Sequence, residues 1–178
     1  MREWNVLITS LEGRRPALLM GLRPLGTFWR AGYKNVVVGR IENRRDFLER
    51  VRERLSTDML LETSLTKVVP IERIARFEPP TLVETAVDLV GGDLEHIVGH
   101  GFYVRLERRG FKGVVHTPTI EAAVGERLLA ACSERGQAAK VRFDDPDVVV
   151  VLETVGDTVG LALLTRAIRC EFPFVRVS

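Results

Sequence analysis

The residues best suited to chemistry are four cations within and just after a short alternating strand. They lie in the stretch at residues 101–113 and are Arg105, Arg108, Arg109 and Lys112. Guanidinium groups bind phosphate oxygens through paired hydrogen bonds, and they have no useful acid or base pKa near neutrality. The pattern therefore favours phosphate binding over catalysis, although the same cations can also be solvated charges around a strand end.

Aromatic and apolar residues are interleaved with these cations. Phe102, Val104 and Leu106 alternate with outward positions, so we expect them to face a core. Tyr103 and Phe111 can stack on nucleic-acid bases. Phe111 can equally anchor its loop in the core, and the sequence leaves both roles open for it.

Three histidines and an acidic cluster offer a second kind of chemistry. His96 and His100 are four residues apart, but the glycines beside His100 indicate a loop, so a metal site is not expected. An acid–base pair would require His100 or His116 to converge with Asp145 or Asp147. A proline lies inside the acidic cluster, which favours a surface turn.

Motifs of common enzyme classes are absent from the sequence. It contains no P-loop, no dinucleotide-binding glycine motif, no nucleophile elbow and no Cys-x-x-Cys pair. We therefore expect no cofactor and no metal, and a protein that is not an enzyme.

The composition is that of an ordinary globular chain with an uneven charge. Its 178 residues are 46% hydrophobic and carry a formal net charge of +2. Residues 1–79 hold 15 Lys and Arg against 10 Asp and Glu, whereas residues 80–178 hold 11 against 14. No apolar run approaches the roughly 18 to 20 residues of a membrane span, and no signal peptide is evident, so we expect a cytoplasmic protein.

The first half of the chain has the pattern of a β-α-β-β-α-β domain. Strand-like runs occupy residues 4–9, 28–31, 36–41 and 65–71. A helical pattern covers residues 14–22, and a second one follows Asn43, a natural N-cap whose following apolar residues share one helical stripe. This order is ferredoxin-like, and we assign it to residues 1–78.

The second half, residues 79–178, has the pattern of another α/β domain. Pro79 and Pro80 break the chain, and Thr81 with Glu84 matches a capping box that begins a helix. A second helix is predicted from Thr117. Further strands are predicted at residues 140–143, 148–155, 158–165 and 172–177.

Taken in order, these segments resemble a THUMP domain. The resemblance rests on the strand at residues 102–105 with the Arg-Arg-Gly at 108–110, the helix from Thr117 with its Gly125, and the segments at 141–147 and 150–153. It covers roughly residues 80–170. THUMP domains usually follow a ferredoxin-like domain, which is the arrangement predicted for this chain.

The resemblance implies tRNA binding, with recognition of RNA shape rather than base sequence. In most family members the two domains deliver tRNA to a fused catalytic domain. Because the pattern ends close to the last residue, the chain is similar to the stand-alone adaptor of tRNA cytidine acetylation. The expectation is a non-catalytic adaptor whose partners are tRNA and a separate tRNA acetyltransferase or other tRNA-modifying enzyme.

On this hypothesis the four cations at residues 105–112 contact phosphate, and neighbouring edges add further contacts. These second-tier candidates are Arg142, Arg14, Arg15 and Lys67. Two alternatives remain open. One is a small RNA-modifying or nucleotide-acting enzyme that uses the histidines and aspartates as acid and base, and the other is a protein-binding scaffold whose acidic second half meets a basic partner.

Overall fold

The computed structural model describes residues 2–178, which divide into two compact units. The first unit contains residues 2–71 and Arg169–Val177, and the second contains Glu72–Ile168 and Ser178. The sequence places the division after residue 78 instead. The difference has two physical causes: residues 73–76 pair with the second sheet, and the C-terminal segment hydrogen-bonds to the first unit, where the Val68 amide donates to the Phe174 carbonyl at 2.9 Å.

The first unit has the predicted β-α-β-β-α-β order. Its strands are β1 (Val6–Ser10), β2 (Thr27–Arg30), β3 (Val36–Arg40) and β4 (Leu65–Pro70), and its helices are α1 (Arg15–Leu22), α2 (Arg44–Leu55) and α3 (Met59–Glu62). Neighbouring strands are antiparallel in the order β2-β3-β1-β4. The ferredoxin-like prediction is confirmed, and α3 is a one-turn addition that the sequence does not predict.

Helix α2 begins where its capping residue predicts. The Asn43 side chain accepts a hydrogen bond from the Asp46 amide at 2.8 Å, which satisfies one of the free N–H groups of the first turn. Phe47, Leu48 and Val51 are buried in the first unit. The cap fixes where the helix begins, and the stripe of apolar residues fixes which face is buried.

The second unit is a mixed sheet with helices. Its strands are β5 (Arg73–Arg76), β6 (Gly101–Glu107), β7 (Lys140–Val141), β8 (Val148–Val155) and β9 (Thr158–Thr165), and its helices are α4 (Leu82–Gly91) and α5 (Thr117–Glu134). A last helix, α6 (Arg166–Glu171), begins in the second unit and ends in the first. The strand order is β5-β9-β8-β6-β7. β6 is parallel to both β7 and β8, whereas β8 and β9 form an antiparallel hairpin. No helix within residues 2–178 is long and apolar enough to cross a lipid bilayer.

The core of the second unit follows the predicted alternation of β6. Phe102, Val104 and Leu106 are buried in one cluster with residues of α4, α5, β8 and β9. Val124 and Leu128 supply part of the α5 face of that cluster. Because β6 and β8 are parallel, the chain must cross back between them, and α5 lies within that crossover connection.

Three local predictions differ from the structure. Strand β5 is not predicted, because four residues with two exposed arginines give little periodic signal. The predicted strand at residues 172–177 is instead irregular chain with one parallel bridge between Val68 and Val175. The Thr81 hydroxyl accepts a hydrogen bond from the Glu78 amide at 3.2 Å and donates one to the Glu78 carbonyl at 3.1 Å. It therefore does not cap α4.

A buried ion pair fixes the chain just after β6. The Arg109 guanidinium donates to the Glu153 carboxylate of β8, and the two side chains are 14% and 0% exposed. The Arg109 amide also donates to the Thr154 hydroxyl at 2.8 Å, and its carbonyl accepts from the Gly156 amide at 3.1 Å. Arg109 is therefore held inside the unit, which corrects the expectation that its guanidinium is available for phosphate.

Removing the Asn43 cap is expected to destabilise the first unit. The variant Asn43→Ala leaves the Asp46 amide without its acceptor, which costs about 1 kcal/mol of unfolding free energy. A shift of the urea unfolding midpoint measures this cost. Asn43→Asp keeps a capping oxygen and is the control, and equal midpoints for the alanine and aspartate variants would contradict the capping role.

Breaking the buried ion pair is expected to cost more. Glu153→Gln leaves the Arg109 cation without a carboxylate in a nearly dry site, at a cost of about 3 kcal/mol. The double variant Arg109→Met with Glu153→Gln removes the stranded charge and is expected to recover part of the loss. An unchanged urea midpoint for Glu153→Gln would contradict the stabilising role of the pair, and a double variant no more stable than Glu153→Gln would show that the stranded charge is not the cause of the loss.

Candidate nucleic-acid interface

The loop that follows β6 is held in a fixed conformation. Gly110 and Gly113 have positive φ angles of 100° and 81°, a conformation that glycine adopts without strain. Between them Phe111 also has a positive φ of 49°, and its ring contacts the Phe77 ring edge-on with centroids 5.6 Å apart. Phe111 therefore anchors the loop against the core and does not offer its ring to a ligand.

Two cations of the loop, Arg108 and Lys112, remain at the surface. Arg108 is half-buried, and its Nη1 donates to the Gly110 carbonyl at 2.5 Å. It lines a cleft of about 310 Å³ together with Gly113, Val115 and residues 116–118. Lys112 is exposed, and within residues 2–178 its ammonium group has no hydrogen bond or ion pair.

The N-terminus of α5 forms the opposite wall of the same cleft. His116 occupies the capping position, yet its side chain makes no capping hydrogen bond. The His116 Nδ1 instead pairs with the Thr119 hydroxyl at 2.7 Å. The start of an 18-residue helix therefore lies beside Arg108 with its partial positive charge, although Pro118 contributes no N–H, and this arrangement is suited to an anion.

The sequence predicts the helix start at Thr117 but does not show that it adjoins the cationic loop. That proximity arises because the loop after β6 leads directly into α5, so the loop and the helix share one cleft. His116 is consequently a site residue that sequence reasoning placed with acid–base chemistry only. The signal that points to its position is the Thr-Pro pair that follows it.

Arg105 and Arg142 lie in the second unit but outside this cleft. The Arg105 Nη2 donates to the Ser178 carbonyl at 2.9 Å, and its Nε lies 3.6 Å from the Glu107 carboxylate. Arg142 is exposed, and its Nε donates to the Asp144 carbonyl at 2.9 Å. Both guanidinium groups keep exposed edges, so both remain candidates for a phosphate contact.

The three second-tier candidates of the first unit differ in exposure. Arg14 is exposed and donates to the Thr63 hydroxyl, while Arg15 donates to the Tyr33 carbonyl, each at 2.7 Å. Lys67 is only 3% exposed within β4. Burial prevents Lys67 from reaching a phosphate in this conformation, and it leaves the candidate set.

Among the predicted acid–base residues, His100 and Asp147 come together. Their nearest atoms, Nδ1 and Oδ2, are 3.8 Å apart. The Asp147 carboxylate also accepts the Gly101 amide at 2.8 Å and lies 3.1 Å from the Arg166 guanidinium. The Gly101 amide, with the nearby Arg166, lowers the pKa of this carboxyl below its usual range, so it is a poor general base.

The remaining groups do not complete an acid–base site with that pair. Asp145 is bonded at 3.0 Å to the same Arg166 guanidinium that faces Asp147, and His116 belongs to the cleft described above. His96 lies near Asp93 and Glu95, where three potential ligand atoms are within 4.8 Å of one another. The Asp93 carboxylate of that cluster is already bonded to the Arg73 guanidinium.

Comparison with known proteins gives matches at the level of structure. No protein-family model matches the sequence, and no curated protein matches it. PH1313 from Pyrococcus horikoshii superposes with a TM-score of 0.64 at 12% identity, over 91% of this chain and 54% of its own. TrmN from Thermus thermophilus superposes with a TM-score of 0.59 at 19% identity, over 90% of this chain and 44% of its own.

A third similar structure is a 4-thiouridine synthetase in complex with RNA and bound ATP. Its TM-score is 0.60 at 14% identity, over 91% of this chain and 41% of its own. These likenesses confirm the predicted fold class, a mixed α/β chain with a THUMP-like fold. The chain spans about half the length of these proteins or less.

The comparisons overturn the expectation of a non-catalytic adaptor. Besides the 4-thiouridine synthetase, the similar chains include a proposed methyltransferase complexed with SAH. Chains similar to this one thus include modifying enzymes. The same finding contradicts the expectation that the protein is not an enzyme. The adaptor hypothesis failed because it was inferred from the position of the last residue, which carries no information on catalysis.

Proposed function

We propose that this chain binds RNA within an RNA-modifying enzyme, and that the cleft between the β6–α5 loop and the N-terminus of α5 holds an RNA phosphate. The observation that carries the proposal is that Arg108 and an uncapped helix N-terminus line one cleft, with the exposed Lys112 on the same loop. The likeness of the fold to a 4-thiouridine synthetase crystallised with RNA supports the same assignment.

The three groups contribute in different ways. A guanidinium can grip two phosphate oxygens, an ammonium acts as a point charge, and helix N–H groups donate hydrogen bonds from a fixed direction. The loop glycines and the Phe111 anchor hold the cations where the helix N-terminus points. Little rearrangement is therefore needed when phosphate binds, which lowers the entropic cost of binding.

The proposed substrate class is tRNA, on the strength of the THUMP resemblance. A surface made of phosphate contacts recognises backbone shape and charge, not base sequence. The His100–Asp147 pair is not assigned to catalysis, because the Asp147 carboxylate is occupied by the Gly101 amide and faces Arg166. The proposal therefore concerns RNA binding by this chain and RNA modification by the enzyme to which it contributes.

Removing the cleft cations is expected to weaken RNA binding in a salt-dependent way. Arg108→Ala with Lys112→Ala should lower tRNA affinity and reduce the slope of log K against log salt by about two, roughly one for each lost phosphate contact. The matched control is Arg127→Ala with Arg135→Ala, which removes the same charge farther along α5 and beyond its end. Arg135 lies roughly 27 Å from the helix start by the helical rise of about 1.5 Å per residue.

Equal slopes for the cleft variant and the wild type would contradict the phosphate site. A flat salt response of the wild type would favour the protein-binding alternative. If the control variant weakened binding as much as the cleft variant did, net charge and not the cleft would explain the effect.

The enzyme proposal is tested in cells that lack the protein. Nucleoside mass spectrometry of tRNA is expected to show the loss of one modified nucleoside after deletion of the gene. The full-length protein carrying the Arg127/Arg135 control changes should restore it, whereas the Arg108/Lys112 variant should restore less. An unchanged nucleoside profile in the deletion strain would refute a role in tRNA modification.

A further inference from the structure

An apolar groove lies beside the proposed phosphate cleft in the second unit. Its volume is about 340 Å³, and its walls come from β6, β7, α5 and the segment after β7. The residues that define it are Tyr103, Phe143, Val141, Gly125 and Pro118. We call it the aromatic groove, and neither the phosphate contacts nor the core packing accounts for it.

Phe143 is the most unusual residue of the groove. Its side chain is 76% exposed, although phenylalanine is usually buried. Its ring stands 5.5 Å from the Tyr103 ring with an angle of 35° between the planes. The chain therefore presents two neighbouring aromatic rings beside a groove, and Phe143 does not contribute to the buried core.

Gly125, in the middle of α5, lines the same groove and has no side chain to fill it. Glycine is a poorer helix former than alanine, so it is disfavoured there unless space is needed. A Cβ atom at this position would meet only the Val104 Cγ2 at 4.0 Å, so no close helix–sheet contact requires glycine. The missing side chain keeps open a space that no described residue fills.

The groove also meets an uncovered stretch of the sheet edge. β7 pairs with β6 at Gly101 and Phe102, and the Glu121 carboxylate accepts the Leu106 amide at 2.8 Å. Val104 lies between these two covered points and lines the groove. A flat group inserted there would lie between the aromatic rings and the helix, next to strand backbone.

We propose that the aromatic groove holds one unpaired nucleobase of the bound RNA. This proposal rests on the proposed RNA-binding function. Pro118 lines both the groove and the phosphate cleft, so the two sites adjoin at the start of α5.

Cations beside an aromatic surface match a nucleotide strand better than an apolar peptide. Single-stranded nucleic acids are held by cations along the backbone and by stacking of bases on aromatic side chains. The volume suits a single base, and Glu126 on the groove wall offers a carboxylate to the amino group of adenine, cytosine or guanine.

The test compares two RNAs that carry the same phosphates. One is a hairpin with a single-stranded tail, and the other is the same hairpin with an abasic tail. The wild-type chain is expected to prefer the tail with bases by about tenfold, within the range of a single base–aromatic stack. Phe143→Ala should abolish the preference, and Phe143→Trp should keep it and show fluorescence quenching with the base-bearing tail beyond that of the wild type.

Gly125 provides a second variant whose effects on folding and binding have opposite signs. Gly125→Ala is expected to raise the Tm because alanine favours the helix, and to lower the tail preference because the methyl group enters the groove. Gly125→Leu fills the floor and should remove the preference completely. A leucine variant that folds and still prefers the base-bearing tail would overturn the proposal.

The outcomes separate this proposal from the phosphate site. The Arg108/Lys112 variant should bind both RNAs more weakly by the same factor and leave the preference for the base-bearing tail unchanged. Equal wild-type affinity for the two RNAs would overturn the nucleobase proposal alone and assign the groove to an apolar side chain of a partner protein. Binding of neither RNA would overturn both proposals.

Discussion

The buried pair of Arg109 and Glu153 is the interaction on which the candidate interface depends. Glu153 is fully buried in a central strand, and a lone carboxylate there would carry a large desolvation cost. Arg109 neutralises it from the loop, so movement of the loop would break this ion pair inside the unit. The position of the loop is therefore set by core electrostatics, and its outer cations follow from it.

Parallel pairing of β6 and β8 supplies the second constraint. A parallel neighbour requires a crossover, and the short loop after β6 brings the start of α5 to the strand end that carries the cations. The helix N-terminus and Arg108 meet because of this connection, not because of any local sequence motif. Loops at the carboxyl ends of parallel strands are common binding positions for the same geometric reason.

The sequence predicts most of the fold because its signals are local. Strand alternation, the Asn43 cap and the Thr-Pro helix start each depend on residues within a few positions of one another. The roles of the cations depend on residues far apart, and there prediction fails. Arg109 is 44 positions from its carboxylate partner, and the run around Glu153 otherwise reads as an apolar strand.

Other errors have the same origin. Lys67 sits in a strand whose neighbours Val68 and Val69 are also buried, so alternation does not reveal that its side chain is enclosed. Phe143 reads as the last residue of a strand, yet β7 ends at Val141 and leaves the ring exposed. Both facts matter to the interface, since one removes a cation from it and the other adds an aromatic surface.

The loss of Arg109 and Lys67 changes what the interface can do. Electrostatic affinity for RNA grows with the number of phosphates that are neutralised, so a site made of Arg108, the nearby Lys112 and one helix N-terminus gives modest affinity and a modest salt slope. Phosphate contacts of this kind set position and orientation without discriminating between sequences. Selectivity for one RNA must then come from contacts that phosphates do not provide, and the aromatic groove is the adjacent surface with the chemistry to make them.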